Sequence, residues 1–144
     1  MAEVSFYILP TESIEERDEF ACKLIEKIYR SGFYCYVLTD NAEQSKQIDD
    51  LLWTFRASSF IPHQQYKGEL PIMDEVILVG HFQPPDRWQH TLINLSAQCP
   101  NQFTSIERIL EILDGNEATK EKGRIRYRQY QESGIKIKTY QDWQ

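Results

Sequence analysis

Near the start of the chain, continuous apolar runs alternate with a stretch in which apolar residues recur at helical spacing. The run at 4–9 is apolar and β-rich, and Ser13 and Glu16 after it have the spacing of a helix capping box. An amphipathic stretch at helical spacing follows. The run at 33–39 is again nearly all apolar, which is typical of a strand covered on both faces. The chain therefore begins with a predicted strand, helix and strand.

A second amphipathic helix is predicted next, with Asp40 and Glu43 at its N-terminus. Its apolar face consists of Ile48, Leu51, Leu52 and Phe55. Trp53 lies roughly 150° around the helix from the centre of this face, so it points away from the core if the helix persists. If the helix ends near Leu52 instead, Trp53 folds inward. The pattern alone leaves both possibilities open.

The remaining pattern predicts more strands, one more helix and an edge strand. Strand-like runs, separated by segments that contain Gly or Pro, are 59–61, 75–79, 91–95 and part of 104–113. A polar helix is expected over 117–132, and the alternation at 135–138 is typical of an exposed edge strand. Strands that alternate with helices predict one α/β domain over 1–144, a layered sandwich with a mostly parallel central sheet flanked by helices.

Composition and charge narrow the class of protein. The chain has 144 residues, 41% of them hydrophobic, and a formal net charge of -6. Such a charge repels nucleic acid and anionic membranes at long range. Three cysteines without C-x-x-C spacing, no leader-like start and no apolar run of membrane length favour the reducing cytoplasm. We expect a cytoplasmic protein that does not enter membranes and meets nucleic acid only indirectly.

Residues arranged for chemistry are scarce. The turn where a phosphate loop would lie reads Pro10-Thr11-Glu12-Ser13, which has no glycine and carries an acid that repels phosphate. His63, His81 and His90 lack the helical spacing of metal ligands. We therefore predict no catalytic residue, no metal site and no cofactor. A metal site or a Cys-His pair formed by tertiary contact alone is the open alternative.

The segment from 117 to 138 is basic, although the chain as a whole is acidic. It holds seven Lys or Arg and three Glu. At about 100° per residue, Lys120, Arg124, Arg128 and Gln131 share one side of the predicted helix. Gly123, Tyr127 and Tyr130 fall on an adjoining stripe.

Gly123 costs a helix about 1 kcal/mol relative to Ala, which hints at close packing on its side. The cations and tyrosines would then flank a groove. Such a groove suits a peptide that ends in an apolar residue and a carboxylate. A solvated helix face is the simpler alternative. Direct nucleic-acid binding is disfavoured, because no strand of stacking aromatics accompanies the cations.

A second candidate surface surrounds Trp53. Phe60, Ile61, Pro62 and His63 follow after a short link, and together with an outward Trp53 they could form an apolar patch of the kind that marks a protein interface.

Short motifs in a defined order give the chain a family resemblance. The motifs are Val4-Ser5-Phe6-Tyr7, Leu51-Leu52-Trp53, Ser59-Phe60-Ile61-Pro62-His63, Leu92-Ile93-Asn94-Leu95-Ser96, and Arg124-Ile125-Arg126-Tyr127-Arg128-Gln129-Tyr130 followed by Gly134. With them the chain resembles, over nearly its full length, the chi subunits of bacterial DNA polymerase III, accessory proteins of the clamp-loader assembly. The resemblance implies a topology similar to nucleotide-binding domains, without a phosphate loop and without catalysis.

The resemblance also implies two protein partners on separate surfaces. The acidic C-terminal tail of single-stranded-DNA-binding protein is expected at the last helix, at Lys120, Arg124, Tyr127, Arg128 and Gly134. The psi subunit, which links chi to the clamp loader, or a helicase that competes for the same surface, is expected at Trp53, Phe60, Pro62 and His63.

Two functional hypotheses follow. The first is a non-catalytic adaptor that couples single-stranded-DNA-binding protein to the replicase by tethering. The alternative is a small α/β nucleotide-binding enzyme with a non-standard site, which only the order of strands and helices suggests.

Overall fold

A computed structural model describes residues 2–55, 60–74 and 76–141. Seven strands lie within them: β1 (Glu3–Ile8), β2 (Cys35–Leu38), β3 (His63–Gln65), β4 (Ile77–Gly80), β5 (Thr91–Asn94), β6 (Arg108–Leu113) and β7 (Lys136–Tyr140). The α-helices of the described residues are α1 (Ile14–Arg30), α2 (Ala42–Thr54) and α3 (Glu117–Glu132). Short 3₁₀ turns cover Asp86–Gln89 and Phe103–Ser105.

The strands form one sheet in the order β3-β4-β2-β5-β6-β1-β7. Every strand pair among the described residues is parallel, as expected for strands joined by helices. β1 lies between β6 and β7, with Phe6 beside Glu111 on one side and Thr139 on the other. The predicted α/β sandwich with a mostly parallel sheet is confirmed.

The core lies in two layers, one on each face of the sheet. On one face, α1 and α2 pack their apolar sides, including Ile25, Ile48 and Leu52, against the strands. On the other face, Tyr130 of α3 packs against Phe6, and Trp88 of the first 3₁₀ turn packs against Tyr34. Since both faces are covered, the central strands are almost wholly apolar.

A side chain caps the N-terminus of α1 and of α2 by accepting a backbone amide. At α2 the capping residue differs from the predicted one. The hydroxyl of Ser13 accepts the amide of Glu16 at 3.2 Å, as the capping-box spacing predicts. At α2 the cap is Asn41, whose side chain accepts the amide of Gln44 at 2.9 Å. The predicted cap, Asp40, instead accepts the amide of Ala97, in the loop after β5, at 2.8 Å. A side chain one residue nearer the helix therefore makes the cap.

The strand predicted at 59–61 is wrong where the structure describes it. Phe60 and Ile61 are irregular, and β3 begins only at His63; residue 59 lies outside the described residues. Pro62 has no backbone N–H to donate to a ladder, although its carbonyl accepts the amide of Ile77 at 2.9 Å. The apolar run at 60–61 reflects burial of Ile61, not pairing. The strand predicted at 75–79 is β4, and residue 75 is not described.

A buried polar cluster joins α3 to the sheet. The carboxylate of Glu111, on β6, has no exposed surface and accepts Arg126 Nε at 3.0 and 3.1 Å. Tyr130 donates its hydroxyl to Glu111 at 2.7 Å, and Asn94 donates its amide at 3.0 Å. Burial, and after it the Glu111 charge, raises the pKa of the Tyr130 hydroxyl, which keeps this donor protonated. Arg126 and Tyr130 therefore belong to the interior.

No helix of the described residues combines the length and apolar character that a membrane span requires.

Replacing Arg126 with Met should expose the cost of an unpaired buried charge. Glu111 would lose its cationic partner, so we expect the free energy of unfolding to fall by about 3–5 kcal/mol. Urea denaturation followed by circular dichroism measures it. Arg128→Met removes a guanidinium from the exposed side of the same helix and should change stability by less than about 0.5 kcal/mol. An equal loss in both variants would contradict the role given to Glu111.

Candidate functional site

The outer side of α3 and the neighbouring strand edge enclose a groove, here called the α3 groove, with a volume of about 730 Å³. Lys120, Arg124 and Arg128 line its helical wall. Phe6 and Ile8 of β1 lie along its floor, and Thr139 of β7 and Gln141 lie at its opposite side. The helical face predicted from spacing therefore borders a concave surface.

The floor of the groove is apolar because α3 lies very close to the sheet. A Cβ atom on Gly123 would come 2.5 Å from Leu113 Cδ1, so glycine permits an approach that a larger residue would oppose. Tyr127 packs its ring 5.5 Å from that of Phe6 while 36% of its surface remains exposed. The groove thus offers an aromatic ring and aliphatic carbons to an apolar side chain.

The cations on the helical wall are weakly engaged. Arg124 pairs with Glu121 at 2.9 Å and Lys120 with Glu117 at 4.0 Å, both between neighbours on the helix surface. Within residues 2–55, 60–74 and 76–141, Arg128 has no ion-pair partner. Exposed pairs of this kind contribute at most about 1 kcal/mol, so an incoming carboxylate can displace the glutamates at little cost.

Four of the predicted tail-site residues, Lys120, Arg124, Tyr127 and Arg128, lie together at the groove. Gly134 is not among the lining residues; its φ of +75° turns the chain from the end of α3 into β7. The expectation that Tyr130 would also face a ligand is wrong, because it is buried against Glu111. Of the two tyrosines on this stripe of α3, Tyr130 packs into the sheet, whereas Tyr127, three residues earlier, stays at the surface.

A second candidate surface is the aromatic patch, which consists of Trp53, Phe60 and Pro62. Helix α2 continues to Thr54, so of the two positions that the sequence left open Trp53 takes the outward one, with 55% of its surface exposed. Its ring lies 5.7 Å from that of Phe60, which is 66% exposed. Two large exposed aromatic rings in contact are typical of a protein-binding surface.

His63 supports this patch from below. The ring of His63 lies 4.6 Å from that of Trp53, but its side chain has no exposed surface. Nδ1 lies 2.6 Å from the carbonyl oxygen of Ile61, and Nε2 lies 3.0 Å from that of Asp49. Burial raises the pKa of the Asp49 carboxyl, and His63 opposes that shift. His63 can therefore orient Trp53. For the His63 ring itself to contact a binding partner, the residues that cover it would have to move away.

Two features of the surface were missed by sequence reasoning. Arg126 was counted among the seven basic residues of the segment 117–138 without being assigned to the interior, although it is only 3% exposed. Its spacing from Tyr130 and the isolated Glu111 in an apolar strand were the available signals. The loop before β4 exposes Leu70, Ile72 and Met73, an apolar sequence that was interpreted only as a connection. No partner surface was predicted there.

The carboxyl ends of the strands, where α/β proteins usually bind nucleotides, offer little to a phosphate. The turn after β1 is closed by a hydrogen bond from the Gly115 amide to the carbonyl of Thr11 at 2.5 Å. A nearby cavity of about 390 Å³ is lined by Asp18, Asp40 and Glu43 as well as by cations. Among the described residues, no cluster of His, Cys, Asp or Glu could hold a metal ion.

Comparison with known proteins identifies the family. The family model described as "DNA polymerase III chi subunit, HolC" matches residues 1–138. The chain belongs to the DNA polymerase III chi subunit family. Membership in this family connects it with DNA replication in bacteria.

Individual chi subunits are similar to this chain over almost their whole length. DNA polymerase III subunit chi of Pseudomonas aeruginosa is 30% identical, with 97% of this chain and 96% of the relative covered. The chi subunit of Haemophilus influenzae is also 30% identical, with 93% of each covered. That of Escherichia coli K12 is 22% identical, with 96% and 97% covered.

A solved structure shares the fold of this chi-family chain. The crystal structure of T4 UvsW matches with a TM-score of 0.67 and 13% identity, covering 97% of this chain and 42% of that one. The chain thus spans less than half of that protein. At this identity the likeness concerns the fold alone.

Removing the His63 ring should loosen the aromatic patch. In His63→Ala the carbonyl groups of Ile61 and Asp49 lose their ring partner, so we expect a loss of about 1–3 kcal/mol in the free energy of unfolding. Tryptophan emission should shift to longer wavelength as Trp53 becomes more hydrated. Gln64→Ala, at an exposed neighbouring position, is the control and should change neither quantity. A His63→Ala protein with unchanged stability and emission would exclude the supporting role.

Proposed function

We propose that this chi-family chain is a non-catalytic adaptor of the bacterial replicase. It binds the acidic C-terminal tail of single-stranded-DNA-binding protein in the α3 groove and binds the psi subunit, and through it the clamp loader, at the aromatic patch. The observation that carries the proposal is the row formed by Lys120, Arg124 and Arg128 above an apolar floor. A groove of this composition accepts carboxylates and an apolar side chain together.

Charge supports the choice of an acidic peptide. The whole chain has a formal net charge of -6, so a negatively charged partner is repelled everywhere except near a local excess of cations. On the helical wall the guanidinium of Arg128 is exposed. The Arg124 guanidinium and the Lys120 ammonium pair with the surface residues Glu121 and Glu117. The guanidinium groups can form paired hydrogen bonds with carboxylates, which a lysine ammonium cannot.

The aromatic patch suits the psi subunit for a different reason. Trp53 and Phe60 present apolar area with little charge on the rings themselves, so burial against a partner would supply most of the affinity. A helicase that competes with psi would use the same residues. The buried ring of His63 holds Trp53 in place, which lowers the entropy lost when a partner binds.

The positions of the two surfaces allow both partners to bind at once. Trp53 packs beside His63 of β3 at one edge of the sheet, whereas the α3 groove adjoins β7 at the other edge. Six strand spacings of about 4.8 Å separate these edges, a distance of about 29 Å. A chain with two such sites tethers its partners and raises their effective concentration without any chemistry of its own.

Reversing one charge in the α3 groove should weaken tail binding. We expect Arg124→Glu to raise the Kd of a labelled acidic tail peptide about tenfold or more, equivalent to about 1.4 kcal/mol. Fluorescence anisotropy titrations at low and moderate salt measure this, and wild-type binding should weaken as salt rises.

The matched control for this titration is Lys23→Glu. Lys23 is an exposed cation on α1, on the other face of the sheet, and pairs with Glu19 much as Arg124 pairs with Glu121. The control changes net charge by the same amount and should leave the Kd within about twofold. Equal weakening by both substitutions would mean that only overall charge matters, and unchanged binding by Arg124→Glu would place the tail elsewhere.

Truncating Trp53 should weaken the psi complex. A central exposed aromatic typically contributes about 2 kcal/mol or more, so we expect Trp53→Ala to reduce affinity about thirtyfold. Isothermal titration of the purified chain with a psi partner measures the change. Phe33→Ala, which removes an exposed aromatic ring stacked on His90, is the control. A psi complex equally stable in Trp53→Ala and wild type would rule out the aromatic patch.

A further inference from the structure

The loop before β4 exposes three large apolar side chains within four positions. Leu70 and Met73 are 70% and 61% exposed, and Ile72 is wholly exposed. Residues 70–73 are called the apolar loop below. Loops are normally polar, because apolar surface in contact with water is unfavourable. Large apolar side chains that cluster in this way are typical of a surface that a protein partner covers.

The chain that follows the apolar loop is held in place by the 3₁₀ turn before β5. Trp88 donates its indole N–H to the carbonyl oxygen of Val76 at 2.7 Å, and both residues are buried. At the surface, the Arg87 guanidinium pairs with the Asp74 carboxylate at 3.1 Å. Because the chain just after Met73 is anchored, the loop loses less conformational entropy when a partner covers it.

Strand pairing places the apolar loop at the same end of the sheet as the aromatic patch. β3 and β4 are parallel neighbours, with His63 beside Ile77, and the Pro62 carbonyl oxygen accepts the Ile77 amide at 2.9 Å. Phe60 precedes His63 by three residues, and Met73 precedes Ile77 by four. A chain spans at most about 3.5 Å per residue, so Phe60 and Met73 lie within roughly 10 and 14 Å of the starts of adjacent strands. Both surfaces therefore adjoin one edge of the sheet.

The aromatic patch alone is too small for a stable complex. A large aromatic side chain has about 200 Å² of surface, so the exposed parts of Trp53 and Phe60 supply about 240 Å². A stable interface takes about 800 Å² from each partner. The side chains of Leu70, Ile72 and Met73 add further apolar area at the same edge of the sheet.

We propose that the apolar loop and the aromatic patch form one surface, and that an apolar face of the psi subunit covers both. This inference rests on the proposed function, which assigns psi to the aromatic patch. The large exposed side chains of the two surfaces are uncharged, so the matching face of the partner is apolar. Ile72 gains most from being covered, because it starts with all of its apolar area in water.

Replacing Ile72 with Ser tests the inference. We expect the Kd of the psi complex, measured by isothermal titration, to rise about tenfold. The Tm should stay unchanged, because the wholly exposed side chain adds nothing to the core. The matched control is Ile14→Ser, which changes another exposed isoleucine at the start of α1, at the opposite end of the sheet. It should leave the Kd within about twofold.

The comparison with Trp53→Ala separates this inference from the proposed function. If Trp53→Ala weakens the psi complex and Ile72→Ser does not, the inference is refuted and the proposed function stands. If Ile72→Ser alone weakens it, the two surfaces do not act as one, and the inference is again refuted. If neither substitution weakens the complex, psi binds elsewhere, and both the inference and the assignment of the aromatic patch are wrong.

A second measurement reports directly on the apolar loop. Met73 is one of two methionines in the chain, so a protein labelled with ¹³C at the methionine methyl groups gives a simple NMR spectrum, and Met73→Leu assigns the signal. We expect psi to shift the Met73 signal and the acidic tail peptide to leave it in place. An unmoved Met73 signal in the psi complex would overturn the inference.

Sedimentation of the chain alone distinguishes psi from a second copy of this chain as the occupant of the apolar loop. We expect a monomer at the concentrations used for titration. A dimer that Ile72→Ser dissociates, together with an unchanged affinity for psi, would assign the apolar loop to self-association and refute the inference.

Discussion

The carboxylate of Glu111 is removed from water at the centre of the α3 side of the sheet, where an ion is stable only if its charge and lone pairs are satisfied. Arg126 and Tyr130 of α3 satisfy it, together with Asn94 of β5. Because residues follow one another at about 100° around a helix, fixing these two residues inward turns the opposite side outward. The orientation of the α3 groove therefore depends on one buried acid that does not line it.

The elements of the fold were largely predictable, but their arrangement was not. The run at 4–9 was apolar and β-rich enough to indicate β1, amphipathic spacing after Ser13 indicated α1, and the polar stretch at 117–132 indicated α3. The run at 60–61 was misinterpreted because burial alone makes an apolar stretch look like a strand. The order of strands in the sheet, with β1 between β6 and β7, arises from tertiary pairing that no local pattern contains.

The candidate site was predictable to the extent that it follows from helix geometry. Equal spacing placed Lys120, Arg124 and Arg128 on one side, and the structure brings them to one groove. Gly123 indicated that its stripe packs closely, but spacing could not say which tyrosine of that stripe is buried, so Tyr130 was assigned to the ligand together with Tyr127. A polar residue that pairs inside the core looks like a surface residue in sequence, as Arg126 does. The exposure of Trp53 was easier to predict, since it depended only on where α2 ends.

The pairing of β1 with β7 joins Glu3 to Lys136 and Tyr7 to Tyr140, residues almost a whole chain apart. Contacts at such separation form late, because loop closure is costly before they are made. During synthesis on a ribosome β1 emerges first, and its outer edge stays unpaired beside Phe6 and Ile8 until β7 has been made. The α3 groove is complete only when β7 has been synthesised, because Thr139 of β7 lines it. An unfinished chain would thus lack the concave surface that the completed chain presents beside α3.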